Sequence, residues 1–276
     1  MARKMLHIFR NNPLGRENLI QSISFCRKVG NLELWLYYPE HTQCLIAFDS
    51  GVVTLDLDAT YTRFRETAER HALELLAGSG LVSHKVTPSK FTSQNLEELS
   101  GEWDIMLCPR VISESMSRIG IGHIGRRVRA LVKASDFPIF IASPCERPWQ
   151  SIAAFFGGSD LGLRAVRQGL SLAEQASVPL SVFTQLEDAT ERECREKLEK
   201  SGVMERMSQL RADWVIWRNG SMEANLYDVP RDALVVAGAA GDSAMHELLF
   251  GSKLELIQRT LPNPLVIVGP SCKKLL

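Results

Sequence analysis

Two short apolar runs, one close to the end of each half of the chain, constrain its fold more than any other feature. They span residues 137–144 (FPIFIASP) and 263–270 (NPLVIVGP), and they align at an offset of 264 − 138 = 126 residues. Each follows a helical pattern and, before it, an apolar run led by Asp, at residues 104–108 and 232–237. Such repetition indicates two copies of one structural unit.

The starts of the two halves match as well. Residues 5–9 and 152–156 are apolar runs that precede a helical pattern, at an offset of 173 − 26 = 147 residues. The first half therefore carries about 21 extra residues (147 − 126). They lie around residues 44–58, where apolar stretches flank Asp49-Ser50-Gly51 and predict an inserted hairpin.

The order of the apolar runs predicts an α/β fold. Runs alternate with helical patterns, as in consecutive βαβ units. Several runs are apolar throughout, which is typical of strands buried on both faces of a parallel sheet between helices. We predict two domains, residues 1–146 and residues 147–276, and both lengths suit a single α/β unit.

Charge and cysteine content exclude several classes of protein. The chain has 32 Lys and Arg against 32 Asp and Glu, so no global basic field would attract nucleic acid or an anionic membrane. No apolar run reaches the ~20 residues of a membrane span, and the first residues do not resemble a secretory signal. The six Cys and six His form no metal-ligand pattern. We expect a cytoplasmic protein with no metal site and with reduced cysteines.

A glycine pattern in the second half is the main candidate for chemistry. Gly238 and Gly241 follow a predicted strand, and Gly251-Ser252 opens a predicted helix. Glycines let backbone N–H groups approach phosphate oxygens, and a helix N-terminus adds a favourable dipole. An alternative interpretation is purely structural, with Gly238 ending the strand and Ser252 capping the helix.

The pattern G-x-x-G-x(9)-G-[S/T], after an Asp-led strand, resembles that of the universal stress protein family. Residues 232–270 match it almost continuously, residues 151–176 resemble the family's first strand and helix, and the whole chain is similar to a tandem member. The resemblance implies two tandem doubly wound parallel five-stranded sheets with helices on both faces, a Rossmann-like α/β fold. It also implies ATP or ADP binding, with Mg²⁺ only alongside the nucleotide, and dimer-like association of domains.

The resemblance also implies which residues bind the nucleotide. Two positions depart from the family pattern: Gly157 stands where nucleotide-binding relatives carry Asp, and Asp242 follows the second glycine. A carboxylate at 242 would repel phosphate, which Lys253 could offset. The implied nucleotide-binding residues are Ala237, Gly238, Gly241, Gly251, Ser252 and Lys253, with Gly157 and Ser159 after the first strand.

The first half lacks the glycine pattern and is interpreted as a degenerate partner. After residue 108 it has Pro109, and the bulky Arg110, Val111 and Ile112 would crowd a backbone cradle. A GxGxxG sequence at 120–125 lies too late in its domain for a dinucleotide fingerprint. It is either a flexible loop before a solvated basic helix, which we favour, or a remnant phosphate loop. The basic residues concerned are Arg126, Arg127 and Arg129.

Three functions remain open on the sequence. The favoured one is a non-enzymatic, nucleotide-dependent sensor or adaptor in a stress response. The second is a slow ATPase, for which Asp242 or Asp160 would supply the metal-binding carboxylate. The third is a ligand-free interaction module. Its last strands, at 139–142 and 265–268, would pair either within the chain as a pseudo-dimer or between chains as a homodimer.

Overall fold

The structure, a computed structural model, describes residues 2–91, 96–110, 112, 124–186, 190–239 and 252–276. Its main feature is a sheet of ten strands, to which each half contributes five. The first half supplies β1 (Arg3–Ile8), β2 (Leu32–Tyr37), β5 (Ser83–Lys85), β8 (Ile105–Cys108) and β9 (Ile139–Ile141). The second half supplies β10 (Ser151–Phe155), β11 (Leu180–Gln185), β12 (Asp213–Trp217), β13 (Ala233–Gly238) and β14 (Leu265–Val268).

The strand order confirms the doubly wound α/β fold. Across the sheet it is β12-β11-β10-β13-β14-β9-β8-β1-β2-β5. In each half the first strand therefore lies between the second and the fourth, so the winding reverses beside it. Within each half all neighbouring strands are parallel. The two five-stranded halves join into one continuous sheet rather than remaining separate.

The last strands of the two halves form the junction. β9 and β14 pair antiparallel, with Phe140 opposite Val266, Ile139 opposite Ile267 and Ile141 opposite Leu265. Because 140 and 266 are equivalent positions of the repeat, an approximate two-fold axis passes between them. The last strands thus pair within the chain, as one of the two sequence alternatives proposed. Each already has a neighbour on both sides, so neither edge is free for a second chain.

Helices cover both faces of the sheet. α1, α3, α5, α6 and α7 pack on one face, and α4, α8 and α9 pack on the other. None of the helices in the described ranges is both long and apolar enough to cross a membrane. The helices are α1 (Pro13–Val29), α2 (Ala59–Thr62), α3 (Arg65–Leu76), α4 (Arg126–Ala134), α5 (Asp160–Ala176), α6 (Glu191–Lys200), α7 (Val203–Gln209), α8 (Met222–Asn225) and α9 (Ser252–Thr260).

A second, four-stranded sheet lies on the first half, on the face that carries α4. Its order is β4 (Gly51–Asp56), β3 (Gln43–Phe48), β7 (Leu96–Leu99) and β6 (Ser89–Phe91). β3 and β4 form an antiparallel hairpin where the sequence placed the extra residues. The sequence did not predict β6 and β7, which extend that hairpin into a small sheet. The predicted domain boundary, between residues 146 and 147, falls between β9 and β10.

Candidate functional site

The fold places one candidate crevice in each half, at the carboxyl ends of its first and fourth strands. Ligands of doubly wound sheets bind where the winding reverses. In the second half this point lies between β10 and β13, which pair with Ala154 opposite Val236. Gly157 and Ser159 directly follow β10, and Gly238 ends β13. The structure therefore brings these predicted residues to the same edge of the sheet.

The turn after β10 leaves room above the sheet. A Cβ atom built on Gly157 would have no heavy atom of the described residues within 4 Å. Gly158 has a φ of +82°, a backbone conformation that suits glycine. Ser159 is the N-cap of α5, and its Oγ accepts a 3.0 Å hydrogen bond from the N–H of Gly162. The Ser159 hydroxyl can still donate its own proton.

Gly238 has a structural reason to be glycine. A Cβ built on it would lie 3.0 Å from the backbone C and O atoms of Leu161, in the first turn of α5. The side chain of the preceding residue, Ala237, is buried, and the N–H of Ala239 donates to the carbonyl of Val268 at 2.9 Å. Close packing of β13 against α5 thus explains this glycine without any ligand.

The remaining predicted residues are only partly described. Gly241, Asp242 and Gly251 lie outside the described residues, so their predicted roles stay predictions. Ser252 is the first residue of α9, and Lys253 is exposed in the first turn of that helix.

Asp160, one of the two carboxylates considered for an ATPase, is paired with a cation. Its Oδ1 lies 2.8 Å from Nζ of Lys197 on α6. The hydrogen bond from Lys197 is the main reason why the pKa of this exposed carboxyl is lowered. Within the described ranges, no group of three His, Cys, Asp or Glu side chains could hold a metal ion.

In the first half, the corresponding crevice is filled by the protein itself. Arg10 occupies the position of Gly157 in the repeat (10 + 147 = 157) and is buried. Its guanidinium donates to Asp58 Oδ2 at 2.8 Å and to Thr60 Oγ1, and it lies 5.1 Å from the centre of the Tyr61 ring. Apolar side chains complete the filling and leave a cavity of about 10 Å³, room for one water molecule. The lining residues are Ile8, Leu55, Leu57, Tyr61, Met106, Leu107, Cys108, Pro109 and Ile112.

The arginines of the first half make contacts that the sequence did not predict. Arg110 reaches into the second half, where it donates to the carbonyls of Gln258 at 3.1 Å and Asn263 at 3.2 Å. Arg127 pairs with Asp56 of β4 at 3.1 Å, and Arg129 pairs with Glu255 of α9 at 2.8 Å. Two of the three arginines considered for a remnant phosphate loop are thus in ion pairs, while residues 113–123 lie outside the described part.

An aromatic cluster on three neighbouring strands is a candidate ligand contact that was not predicted from the sequence. Phe155 of β10, Phe183 of β11 and Trp217 of β12 have ring centres 5.1–6.2 Å apart. Phe183 and Trp217 are buried, whereas Phe155, two residues before Gly157, is half-buried. An aromatic face in this position can stack on a base. An aromatic residue at or near the end of three successive strands was the sequence signal for this cluster.

Solved structures share this fold over nearly the whole chain. A universal stress protein from Archaeoglobus fulgidus DSM 4304 is similar over 98% of this chain and 99% of that one, with a TM-score of 0.63 and 14% identity. The chain has the tandem universal stress protein fold. A functionally unknown protein from Pseudomonas aeruginosa PAO1 is similar over 98% of this chain and 93% of its own, with a TM-score of 0.57 and 12% identity.

The same fold extends to another class of protein. The cytoplasmic domain of a prokaryotic cation chloride cotransporter is similar over 96% of this chain and 94% of its own, with a TM-score of 0.51 and 10% identity. No protein-family model and no curated protein sequence matches the chain. At these identities the similarity shows the fold alone.

Proposed function

We propose that this protein is a tandem member of the universal stress protein family that binds ATP or ADP in its second half. It would act in the cytoplasm as a ligand-dependent sensor or adaptor in a stress response. The observation that carries this proposal is the difference between the two crevices. Arg10 and the hairpin residues fill the first one, whereas the described residues leave open space above Gly157 in the second.

The second crevice combines several groups that suit a nucleotide. The loop between β13 and α9 carries Gly241 and Gly251, whose N–H groups could face phosphate oxygens without a Cβ in the way. The N-terminus of α9, with Ser252 and Lys253, adds a favourable dipole, a hydroxyl and a positive charge. Phe155 would offer an aromatic face to the base. Mg²⁺ would arrive with the nucleotide, as its phosphates supply most of the ligands.

Binding, rather than hydrolysis, is the role that the described side chains favour. An ATPase needs a carboxylate to hold a metal ion and a positioned water. Asp160 is paired with Lys197, so its use as a metal-binding carboxylate would require that ion pair to break. We therefore propose that the nucleotide acts as a ligand whose occupancy shifts the conformation of the second half.

A matched pair of variants at Gly157 tests the proposal. Gly157→Arg reproduces the first half's residue and should abolish binding, because its side chain would occupy the crevice. Gly157→Ala adds only a Cβ, which the described residues accommodate, and should bind as the wild type does. We expect ATP and ADP to raise the melting temperature of the wild type and of Gly157→Ala, but not that of Gly157→Arg.

Isothermal titration with the same nucleotides, and native mass spectrometry of the purified protein, would provide independent measurements of binding. Flat titrations for the wild type would refute nucleotide binding. Equal binding by wild type and Gly157→Arg would refute this location of the site.

A further inference from the structure

The first half holds α9 near both ends. Near the start of the helix, Nη2 of Arg129 lies 2.8 Å from Oε1 of Glu255, and both side chains are largely shielded from solvent. Near its end, Arg110 donates to the carbonyls of Gln258 and, beyond the helix, Asn263. α9 belongs to the second half by sequence, yet two guanidinium groups of the first half contact it.

The contact at the start of α9 is specific to this pairing of unlike halves. Arg129 on α4 and Glu255 on α9 are equivalent positions of the repeat, since 129 + 126 = 255. Around an approximate two-fold axis, equivalent positions close to the axis face each other. Two copies of one half would place like charges together there, whereas the two different halves place Arg against Glu.

These contacts act on the electrostatics of α9. Glu255 lies in the first turn, where a carboxylate suits the helix dipole but repels an anion bound at the same N-terminus. Arg129 neutralises that carboxylate and binds it on the side of the first half. Arg110, whose Nε is buried, donates to the carbonyl of Gln258 in the last turn, at the negative end of the helix. Both contacts therefore favour an α9 that can accept an anion at its start.

We propose that the first half sets the nucleotide affinity of the second half, with Arg129 and Arg110 as positioning residues that act through α9. This inference rests on the nucleotide binding proposed above. It gives the degenerate first half a regulatory role: its own crevice is filled, and it tunes the crevice of its partner half.

Arg129→Met is the decisive variant, because its ion pair is partly exposed and its loss should leave the protein folded. We expect the dissociation constant for ATP to rise about fivefold at low salt. Arg129→Met combined with Glu255→Gln should recover most of the affinity, because the unpaired carboxylate is then gone. Arg127→Met is the matched control: Arg127 lies on the same helix and pairs with Asp56 of the first half's own hairpin, so its loss should leave the affinity unchanged.

Hydrogen exchange of the α9 amides, measured without nucleotide, gives a second readout. Arg129→Met and Arg110→Lys should speed that exchange, and Arg127→Met should not. An unchanged ATP affinity in Arg129→Met, or an equal loss in Arg127→Met, would overturn the inference while leaving nucleotide binding intact. A wild type that binds no nucleotide would instead remove the proposed function and with it this regulation, whatever the exchange rates of α9.

Discussion

Arg10 and Gly157 show how the residue at one position affects whether a crevice is filled. They are equivalent positions of the repeat, directly after the first strand of each half. Arg10 places a buried guanidinium against Asp58 and Tyr61, and the inserted hairpin covers the rest. Gly157 has no side chain that could enter the crevice of the second half. The side chain at this position and the inserted hairpin together separate a filled crevice from one that the described residues leave open.

His7, next to the last residue of β1, makes the stability of the protein dependent on pH. It is buried, Nδ1 lies 2.8 Å from Oγ of Ser22, and burial lowers its pKa from 6.5 to about 3. Between these two values the unfolded chain binds a proton at this residue and the folded chain does not, so stability falls as the pH decreases.

We expect His7 to reduce the free energy of unfolding by about 2 kcal/mol on going from pH 7.5 to pH 5.0. Urea unfolding of the wild type and of His7→Gln at both pH values measures this effect, since the difference between their pH dependences isolates one residue. Identical pH dependences would show that folding does not change the pKa of His7.

The contact between β13 and α5 is the main constraint at the level of elements. Gly238 lets the end of the strand approach the backbone of Leu161, while Gly157, three residues before α5, faces open space in the described part of the chain. Close packing thus requires glycine at position 238, whereas the described residues leave room for a side chain at position 157.

Alanine substitutions at these two positions should therefore change the stability of the protein differently. Gly238→Ala should destabilise the protein by about 1–3 kcal/mol, because the new methyl group presses on backbone that cannot move aside. Gly157→Ala should change stability by less than about 1 kcal/mol, and in the stabilising direction, through reduced freedom of the unfolded chain. Chemical denaturation measures both. Equal effects would mean that the packing against Leu161 does not restrict position 238.

The elements themselves were largely predictable, because their signals are local. Unbroken apolar runs marked the strands β8, β9, β13 and β14, and the 126-residue offset matched the last two strands of one half to those of the other. β6 and β7 were not predicted because they are short. β7 pairs with the distant β3, and among the described residues β6 pairs only with β7. Arg110 was expected to crowd its own loop, but a side chain's reach into another domain leaves no pattern in sequence.

The sheet topology predicted where some candidate-site residues lie, whereas their binding roles stay predictions. Placement of Gly157, Ser159 and Gly238 at one edge follows from the topology of a parallel sheet, and the structure has them there. The filling of the first crevice could not be foreseen, because it depends on how the hairpin folds back over Arg10. The nucleotide contacts of Gly241 and Gly251 stay predictions.

At the scale of the whole molecule, Phe140 and Val266 mark the approximate two-fold axis. They face each other at the centre of the ten-stranded sheet. Both side chains are buried in the same core, on the side of α1 and α5, and Phe140 stacks on Phe25 with ring centres 4.7 Å apart. A large residue therefore meets a small one on the approximate two-fold axis, so the halves complement each other in volume as well as in charge.

Exchanging these two residues should reveal that complementarity. Phe140→Val should cost about 2 kcal/mol of stability by leaving a cavity, and Val266→Phe about 1–3 kcal/mol by overpacking. The double variant should be more stable than the sum of the single effects predicts, by at least about 1 kcal/mol. Urea unfolding of the four proteins gives the coupling. Simple additivity would show that the two side chains do not share one space.

The antiparallel pairing of β9 with β14 also determines how the protein responds to dilution. Two separate domains that met along this seam would come apart as their concentration fell, and a ligand response that needs both would fade with them. Here one polypeptide carries both sides, so each half experiences the other at a fixed, high effective concentration. The proposed coupling between the halves would therefore be a property of every single molecule, independent of how many copies a cell contains.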